Sequence, residues 1–499
     1  MSFLTDLLFE AGIATRSVAD YLTGTGLRLG VTGLSRAGKT VFITALIQNL
    51  VRAAAASADG RRVLPVFRVH SEGRLVRARL EPQPDDAVPR FAVEDHLAAL
   101  TGADRAGFDR TWPQSTRRIS EVRVTIEFER KAGWRQGPAD LTLDIVDYPG
   151  EWLLDLPLLG KTYAQWSRDM LEASAGAGRA SLAADWRGAT LPLSADARAD
   201  EDLARTLATL YTDYLRASKA EAYALSTLPP GRFLMPGDLE GSPALTFAPL
   251  AVPEGGDAPA GSLWAMMERR YEAYKSVVVR PFFRDHFARL DRQIVLVDTL
   301  SALNSGPAAV RDLEHALGEV LGAFRAGRSG LLSTLFRPKI DRILFAATKA
   351  DHLHHTSHDR LEAILRLLTA RAISRAEDVG ATIDVIAMAA IRATREARVS
   401  QGRGEEIDAI VGTPLKGEVI DGESFDGLAE AAIFPGELPA DPKLALRGEA
   451  LALGPDEADY RFVRFRPPAP MRGSDGQTLP WPSIRLDRAL EFLLGDRLR

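Results

Sequence analysis

Cysteine is absent from the 499 residues of this chain. A chain without thiols forms no disulfides, holds no iron–sulfur cluster or thiolate-bound zinc, and has no cysteine nucleophile. No apolar run approaches the roughly 18 to 20 residues that cross a bilayer, so we expect no transmembrane helix. Chemistry in this protein must therefore use hydroxyl, carboxylate, imidazole, amine and backbone groups.

Positive charge is not in excess either. The chain has 62 Lys and Arg against 67 Asp and Glu, a formal net charge of -5. Without a general positive field, we expect no nucleic-acid partner. A hydrophobic fraction of 46% and a charged fraction of 26% are typical of a soluble globular protein. The length predicts about two to four domains, or one domain with large insertions.

The N-terminal segment 1–26 has apolar residues at helical spacing, which predicts an amphipathic helix. Asp6 and Glu10 stand where a secretory signal would carry positive charge, so we expect a cytoplasmic protein. Packing on the domain that follows is the favoured role of this helix. Binding flat on a membrane surface is the alternative.

A phosphate-binding loop is the most specific pattern in the chain. An alternating strand at 27–31 leads into G-x-x-x-x-G-K-T, and an apolar-periodic helix follows. Such a loop lets backbone N–H groups surround a phosphate at a helix N-terminus, while the lysine adds a cation and the threonine a magnesium ligand. The residues expected to surround the phosphates are Gly33, Leu34, Ser35, Arg36, Ala37, Gly38, Lys39, Thr40 and Val41.

A second pattern, D-x-x-G, ends the predicted strand at 141–147. Asp147 would hold Mg²⁺ through water, and the backbone N–H of Gly150 would sense a γ-phosphate. Asp298 is a rival for the magnesium role, because it also ends an apolar run. The glycine three positions after Asp147 favours Asp147 and places Asp298 on the next parallel strand.

A third pattern, T-K-x-D, follows the predicted strand at 341–348. The Asp351 carboxylate can accept two hydrogen bonds from a guanine ring, a donor pair that adenine does not offer, so it favours GTP over ATP. Lys349 would lie along the base, and Thr348 replaces the more usual Asn. A later strand-turn could bring backbone amides to the base oxygen, as an alternative to an ordinary turn. Its residues are Ala389, Ala390 and Ile391.

Two further predictions concern magnesium and hydrolysis. Thr116 is the expected second protein ligand of Mg²⁺, with Ser115 as the runner-up and a capping threonine as the structural alternative. Glu151 stands where many GTPases place a glutamine that orients water, and its negative charge near the phosphates predicts slow intrinsic hydrolysis. Arg36, or an arginine of the insertion, could serve as a cationic finger.

Taken together, these segments resemble the YcjX-like family of stress-associated P-loop proteins, from about Leu4 to the last residue. The motifs that carry the resemblance are GLSRAGKTVFITAL, WPQST, DYPGEW, RPFFRDHFARLDRQIVLVDTLSALNSGP, LFAATKADH and LPWPSIRLDRALEFLLGDRLR. The resemblance implies a GTPase-like core with large helical insertions and GTP or GDP as ligand. It also implies a link to stress response and a membrane-protein partner, with a peripheral position at the inner membrane through that partner.

The predicted fold class is α/β: a doubly wound, mostly parallel P-loop sheet with large helical insertions and a small C-terminal β excursion. Strands are expected at 27–32, 121–129, 141–147, 293–298, 341–348 and 383–388. Helices of the insertion are expected at Leu203–Arg216, Leu263–Val279 and Phe282–Leu290. The expected segments are the helix at 1–26, a first core part at 27–150 with an insertion at 52–115, a helical insertion at 151–290, a second core part at 291–410, a β-rich excursion at 411–467, and a C-terminal part at 468–499. The last helix of that C-terminal part is expected to return to the core through its apolar residues.

Two side-chain clusters have competing interpretations. Four histidines follow Asp351, and His354 with His358 could bind a metal, but a solvated loop entering a helix is favoured. The aromatic and methionine stripe at 264–274 is expected to pack in the core rather than form a partner groove. No feature of the sequence indicates an oligomeric state.

Three functions remain open on these residues. The first is a GTP-driven switch with weak hydrolase activity. The second is an ATPase of the same fold, and the third is a non-hydrolysing interaction protein that nucleotide stabilises. The carboxylate of Asp351 favours the first.

Overall fold

A computed structural model gives the fold of most of the chain. It describes residues 26–33, 36–58, 63–83, 85–102, 109–114, 118–131, 137–176, 178–220, 223, 225–253, 258–323, 340–370, 373–374, 380–401, 405–420, 422–447, 460, 462–473 and 478–499. The predicted N-terminal helix at 1–26 therefore lies almost wholly outside the described residues, as do Leu34, Ser35, Ser115 and Thr116.

The core is a seven-stranded sheet with the spatial order β2-β3-β4-β1-β5-β6-β7. The strands are β1 Gly26–Gly33, β2 Leu75–Glu81, β3 Ser120–Arg130, β4 Gly137–Asp147, β5 Arg292–Val297, β6 Arg342–Ala347 and β7 Thr382–Ala387. The neighbours from β4 to β7 pair in parallel, whereas β2 and β3 are antiparallel additions at one edge. The predicted fold class is confirmed.

Helices cover both faces of this sheet, because its parallel strands are apolar on both sides and must be shielded from water. They are α1 Lys39–Ala58, α2 Arg68–Ser71, α3 Val93–Thr101, α4 Tyr163–Ala175, α5 Ala184–Thr190, α6 Glu201–Lys219, α7 Gly231–Leu234, α8 Leu263–Tyr274, α9 Arg280–Asp285, α10 Thr299–Asn304, α11 Pro307–Ala323, α12 His358–Leu368, α13 Pro442–Arg447 and α14 Leu486–Leu494. A 3₁₀ helix, Gly150–Gly160, follows β4 directly. One large buried cluster joins the insertion to one face of the sheet, and a second, which includes α1 and α14, covers the other.

The helical insertion between β4 and β5 has an aromatic interior. Trp166, Tyr211 and Tyr271 are each fully buried, and the ring centroids of Trp166 and Tyr271 are 5.2 Å apart. The predicted stripe at 264–274 belongs to this interior, since Trp264 is 1% exposed, which confirms its packing role. Helix α8 continues into a π-helical turn at Lys275–Val279, so the long predicted helix changes its hydrogen-bond spacing there.

Two features of the sheets differ from the sequence prediction. The prediction does not include strand β2. This strand lies at the sheet edge, and its buried and exposed residues alternate irregularly because the pairing register shifts between Leu75 and Arg77. A small antiparallel sheet is formed by β8 Arg395–Gln401, β9 Glu405–Gly412 and β12 Ala431–Ile433. It begins well before the expected boundary at 411, because the charged sequence of β8 hides its strand character. A hairpin of β10 Val419–Ile420 and β11 Glu423–Ser424 completes this part.

The C-terminal segment returns to the core and contacts both α1 and the sheet. The Asn49 side chain of α1 donates to the carbonyl of Trp481 at 3.1 Å and accepts from its N–H at 2.7 Å. Helix α14 then packs on the sheet through Leu490 and Leu493, as its apolar spacing predicts. In the part of the chain that the structure describes, we find no helix with the length and hydropathy needed to span a bilayer.

Candidate functional site

A cleft of about 510 Å³ opens at the carboxyl edge of the parallel strands β1, β5 and β6. Ligands of doubly wound folds bind at this edge, where the chain leaves neighbouring strands in opposite directions. The phosphate loop from Arg36 to Val41 forms one wall. Thr348, Lys349 and Asp351 form another, together with residues 388–391. The structure thus brings together two motifs separated by about three hundred residues.

The phosphate loop has the backbone geometry that an anion cradle requires. Gly38 has φ of +80° and Arg36 has φ of +63°, so successive amides turn towards one side. A Cβ at Gly33 would lie 2.6 Å from the Leu296 carbonyl, which explains why only glycine fits at the end of β1. The Lys39 ammonium folds back onto the Gly33 carbonyl at 3.2 Å, a position at the mouth of the loop.

Magnesium would find oxygen donors on two elements here. Asp147 ends β4 beside Val31 of β1 and is 1% exposed, while the hydroxyl of Thr40 lies in the first turn of α1. The Thr40 hydroxyl donates to the Gln114 carbonyl at 3.5 Å, so the segment that leads to Ser115 and Thr116 passes beside it. Hydroxyl and carboxylate oxygens are the ligands that Mg²⁺ prefers, and these residues fit it.

Asp298, the rival magnesium ligand, has a structural task. Its Oδ1 accepts from the Ser301 N–H at 3.1 Å and caps α10. Its Oδ2 accepts from the Lys349 ammonium at 2.5 Å. Lys349 lies in the loop at 348–351, the predicted base-binding segment, which is called the base loop below. It has φ of +60°, an unusual backbone conformation for a residue other than glycine, and the ion pair with Asp298 anchors it there. The apolar run at 293–298 therefore ends in a residue that anchors the loop at Lys349.

The base loop presents a buried carboxylate. Asp351 is 4% exposed, and its Oδ2 accepts from the Ala393 N–H at 2.8 Å. The hydroxyl of Thr394 donates to the Asp351 carbonyl, so the loop is held through both side chain and backbone. Thr348, which stands in place of the usual Asn, donates through its hydroxyl to the Val297 carbonyl of β5 at 3.4 Å. The carboxylate is therefore fixed in position.

The strand-turn at 389–391 lines the same cleft. The N–H of Ala389 already donates to the Ile484 carbonyl at 3.1 Å, and the Arg392 N–H donates to Pro482 at 2.7 Å. Within the predicted trio, the amide of Ala389 is thus already engaged, and the predicted base contact stays a prediction for Ala390 and Ile391. No local sequence pattern indicates that the C-terminal segment holds this turn.

Glu151 is held by a cation that sequence reasoning missed. Lys219, the last residue of α6, donates to the Glu151 carboxylate at 2.5 Å. Burial alone would raise the pKa of Glu151, but the ammonium groups of Lys219 and Lys39 outweigh it and keep the pKa below its usual range. A second cavity is lined by Arg36, Glu151 and Lys219. Since Arg36 also lines the larger cleft, this ion pair lies near the end of that cleft formed by the phosphate loop.

The rest of the Gly150–Gly160 helix is also held by later residues of the insertion, between Gly231 and Tyr274. Asp155 accepts from the Gly231 N–H at 2.7 Å and from the Tyr274 hydroxyl at 2.6 Å. A Cβ at Gly231 would lie 1.8 Å from the Glu151 carbonyl, so the two backbones are in direct contact. The Arg232 guanidinium stacks over the Trp152 ring at 3.2 Å. Any movement of this helix must therefore move or break contacts with the insertion.

With this geometry in place, comparison with known proteins becomes informative. A family model described as YcjX-like family, DUF463, matches residues 27–498. The chain belongs to the YcjX-like family. It is 39% identical over 482 residues to the Ras-like GTPase YcjX of Escherichia coli K12, covering 95% of this chain and 96% of that protein. It is 35% identical over 488 residues to the Ras-like GTPase YcjX of Shewanella oneidensis MR-1, covering 95% and 94%.

These comparisons confirm the predicted resemblance and support a GTPase-like protein. The match reaches the last helix of this YcjX-like chain, in agreement with the contacts that the segment around Trp481 makes to α1. The Lys219–Glu151 pair could not be read from spacing, because the two residues lie 68 positions apart and no local pattern links them.

The predicted solvated histidine loop is wrong for two of its four members. His354 and His358 are 9% and 5% exposed. The Nε2 of His358 lies 2.8 Å from the Ala350 carbonyl, so this ring supports the base loop and does not share a metal with His354. The prediction of a helix entry holds, since α12 begins at His358.

The ion pair between α6 and the Gly150–Gly160 helix can be tested by a double-mutant cycle. Lys219→Met should lower the free energy of unfolding by about 3 kcal/mol, because it leaves a buried carboxylate without its nearest cation. Adding Glu151→Gln should recover much of that loss, since the buried charge is then gone. Urea denaturation of the nucleotide-free protein measures both effects.

The matched control is Arg216→Met on the same helix, where the partner Asp213 is exposed. This change should alter stability by less than about 1 kcal/mol. Strictly additive effects of Lys219→Met and Glu151→Gln would show that the two side chains do not interact in solution.

A second prediction concerns pH and Asp155. Burial raises the pKa of Asp155 from 3.8 to about 7, against the opposing hydrogen bonds from Tyr274 and Gly231. The folded protein then keeps a proton that the unfolded chain has lost, so this carboxyl destabilises the fold progressively as pH rises from about 4 to about 7. Asp155→Asn should remove a fall of about 4 kcal/mol across this range.

The readout is the difference between the two stability–pH profiles, from urea denaturation at several pH values. Glu121 is also buried with its pKa raised to about 7, and it contributes the same trend to both proteins. Parallel profiles for Asp155→Asn and the unchanged protein would contradict the buried, protonated carboxyl.

Proposed function

We propose that this protein is a GTP-binding switch that hydrolyses GTP slowly and with Mg²⁺. The observation that carries the proposal is the shared cleft, in which the phosphate loop and the Asp351 carboxylate face one ligand space of about 510 Å³. That volume suits a nucleotide. The names of the two relatives, both Ras-like GTPases, agree with it.

Guanine is favoured over adenine by the state of Asp351. Its carboxylate is buried and pinned through Oδ2, so its remaining acceptor positions are preorganised for the ring N–H and the exocyclic amine of guanine. Adenine would leave this buried carboxylate without those donors, which is a strong penalty in a dry site. This disfavours the alternative of an ATPase.

Several positively charged groups would neutralise the negative charge of the phosphates. Lys39 would neutralise the β- and γ-oxygens, and the Gly150 N–H would orient the γ-phosphate. Thr40 and Asp147 would hold Mg²⁺, together with the predicted Thr116; the ion supplies charge neutralisation and keeps the phosphate tail aligned. Arg36, at the wall shared by the two cavities, is the cation of the loop best placed to assist.

Slow hydrolysis follows from the position of Glu151. Its carboxylate is engaged by Lys219 and is therefore not held ready to orient a water molecule. We expect turnover without a partner far below the order of tens per second. A measured rate of that order for purified protein, followed by phosphate release, would contradict this part of the proposal.

The insertion supplies the switch. The Gly150–Gly160 helix begins at the residue that would sense the γ-phosphate, and it touches the insertion through Glu151, Trp152 and Asp155. Gain or loss of that phosphate would shift these contacts and so rearrange the insertion. The stress-related process in which the switch would act rests on the family resemblance alone. No described residue supports the membrane-protein partner that the resemblance implies.

The decisive test exchanges the base-reading carboxylate for an amide. Asp351→Asn should weaken GDP binding by at least about tenfold and improve binding of xanthosine diphosphate, because xanthine offers an acceptor where guanine has its amine. The amide oxygen of Asn can still accept from Ala393, so the loop should keep its shape. Isothermal titration of both nucleotides with Mg²⁺ measures the change.

Lys39→Ala is the matched control, since it should weaken both nucleotides alike by removing a phosphate contact. Unchanged GDP affinity in Asp351→Asn would overturn guanine recognition by this residue. If Glu151→Ala leaves turnover unchanged while nucleotide binding stays intact, the non-hydrolysing interaction protein is favoured.

A further inference from the structure

A cluster of metal-binding side chains lies outside the nucleotide cleft. It consists of His354 and His355, in the loop after Asp351, and Glu396 at the start of β8. The Glu396 Oε2 is 2.8 Å from His355 Nδ1 and 3.8 Å from His354 Nε2. All three ligand atoms lie within 4.8 Å of one another. The cluster takes no part in the phosphate or base contacts described above.

We propose that these three side chains form a binding site for a first-row transition metal ion, with Zn²⁺ as the best-suited ion. Two imidazole nitrogens and one carboxylate oxygen, with water in the fourth position, are a common zinc set. Tetrahedral ligands at 2.0 to 2.1 Å from zinc are separated by about 3.4 Å. The distances of 2.8 and 3.8 Å bracket this value, so only small side-chain rotations are needed.

The groups around the cluster are arranged as a metal site requires. A metal-bound imidazole usually has its other nitrogen held by a carboxylate or hydroxyl. His354 shows this pattern: its Nδ1 lies 3.4 Å from Asp408 and 3.0 Å from the Thr356 hydroxyl, which leaves Nε2 facing Glu396. Arg392 pairs with the other carboxylate oxygen of Glu396, Oε1, at 3.2 Å and so leaves Oε2 for the ion.

The position of the cluster gives it a consequence for the nucleotide. The metal would join the loop at His354 to the strand at Glu396, and both segments hold Asp351. Ala393 binds the Asp351 side chain and Thr394 its carbonyl, three and two positions before Glu396 respectively. Zinc would therefore rigidify the base-reading carboxylate and raise guanine nucleotide affinity. This coupling rests on the proposed function, whereas the metal site itself does not.

The first experiment is a calorimetric titration of chelator-treated, tag-free protein with ZnCl₂. The expected result is one Zn²⁺ per chain, with affinity reduced by at least about tenfold in His355→Ala and in Glu396→Gln. His355 is exposed, so its substitution should leave the fold intact. Glu406→Gln is the matched control: it lies on the neighbouring strand, pairs only loosely with Arg398 and should bind zinc like the unchanged protein. Mg²⁺ should not compete, because imidazole is a poor ligand for it.

Equal zinc affinity in all four proteins, or no binding in the unchanged protein, would overturn the proposal and leave a hydrogen-bonded histidine–carboxylate network.

The second experiment measures GDP affinity with and without one equivalent of Zn²⁺. We expect binding about fivefold tighter with zinc, and no such gain in His355→Ala. Zinc binding without any effect on GDP would overturn the coupling. Zinc binding in a protein that binds no nucleotide at all would refute the proposed function and leave the metal site standing.

Discussion

One buried carboxylate connects the two halves of this structure. Glu151 stands where the core sheet ends and the insertion begins, and it is only 6% exposed. A charge in that position requires cations, which come from the phosphate loop through Lys39 and from the insertion through Lys219. The insertion thus supplies a stabilising charge to the residue that follows Gly150, the proposed γ-phosphate sensor. Its contacts at Gly231 and Tyr274 complete the same junction.

The base end of the cleft depends on a different long-range constraint. Asp351 is fixed by residues that lead into the small β sheet, and the neighbouring turn is fixed by the C-terminal segment through Ile484. The same segment forms two hydrogen bonds, through the Trp481 backbone, with the Asn49 side chain of α1, the helix that follows the phosphate loop. Both ends of the proposed nucleotide cleft are therefore positioned by parts of the chain that lie far downstream, which gives a physical reason for a family match that extends to residue 498.

Sequence reasoning succeeded where a signal is local. The strands β1 and β4 to β7 are each buried over at least their last three residues, so their apolar runs identify them. The phosphate loop and the T-K-x-D motif carry fixed spacings. It failed where burial is one-sided or a partner is remote. Edge strand β2 has an irregular pattern, β8 is rich in charge, and nothing near Lys219 or His354 indicates their partners. Such contacts depend on how distant segments pack, which periodicity does not encode.

In the proposed function, the nucleotide controls the insertion through the Gly150–Gly160 helix. Hydrogen exchange with mass spectrometry, on protein saturated with GDP or with a non-hydrolysable GTP analogue, tests it most directly. The account predicts that exchange changes together in Gly150–Gly160 and in the C-terminal turn of α6, and that Lys219→Met abolishes the change in α6 alone. Identical exchange in α6 with both nucleotides, while the phosphate loop is protected by each, would contradict it.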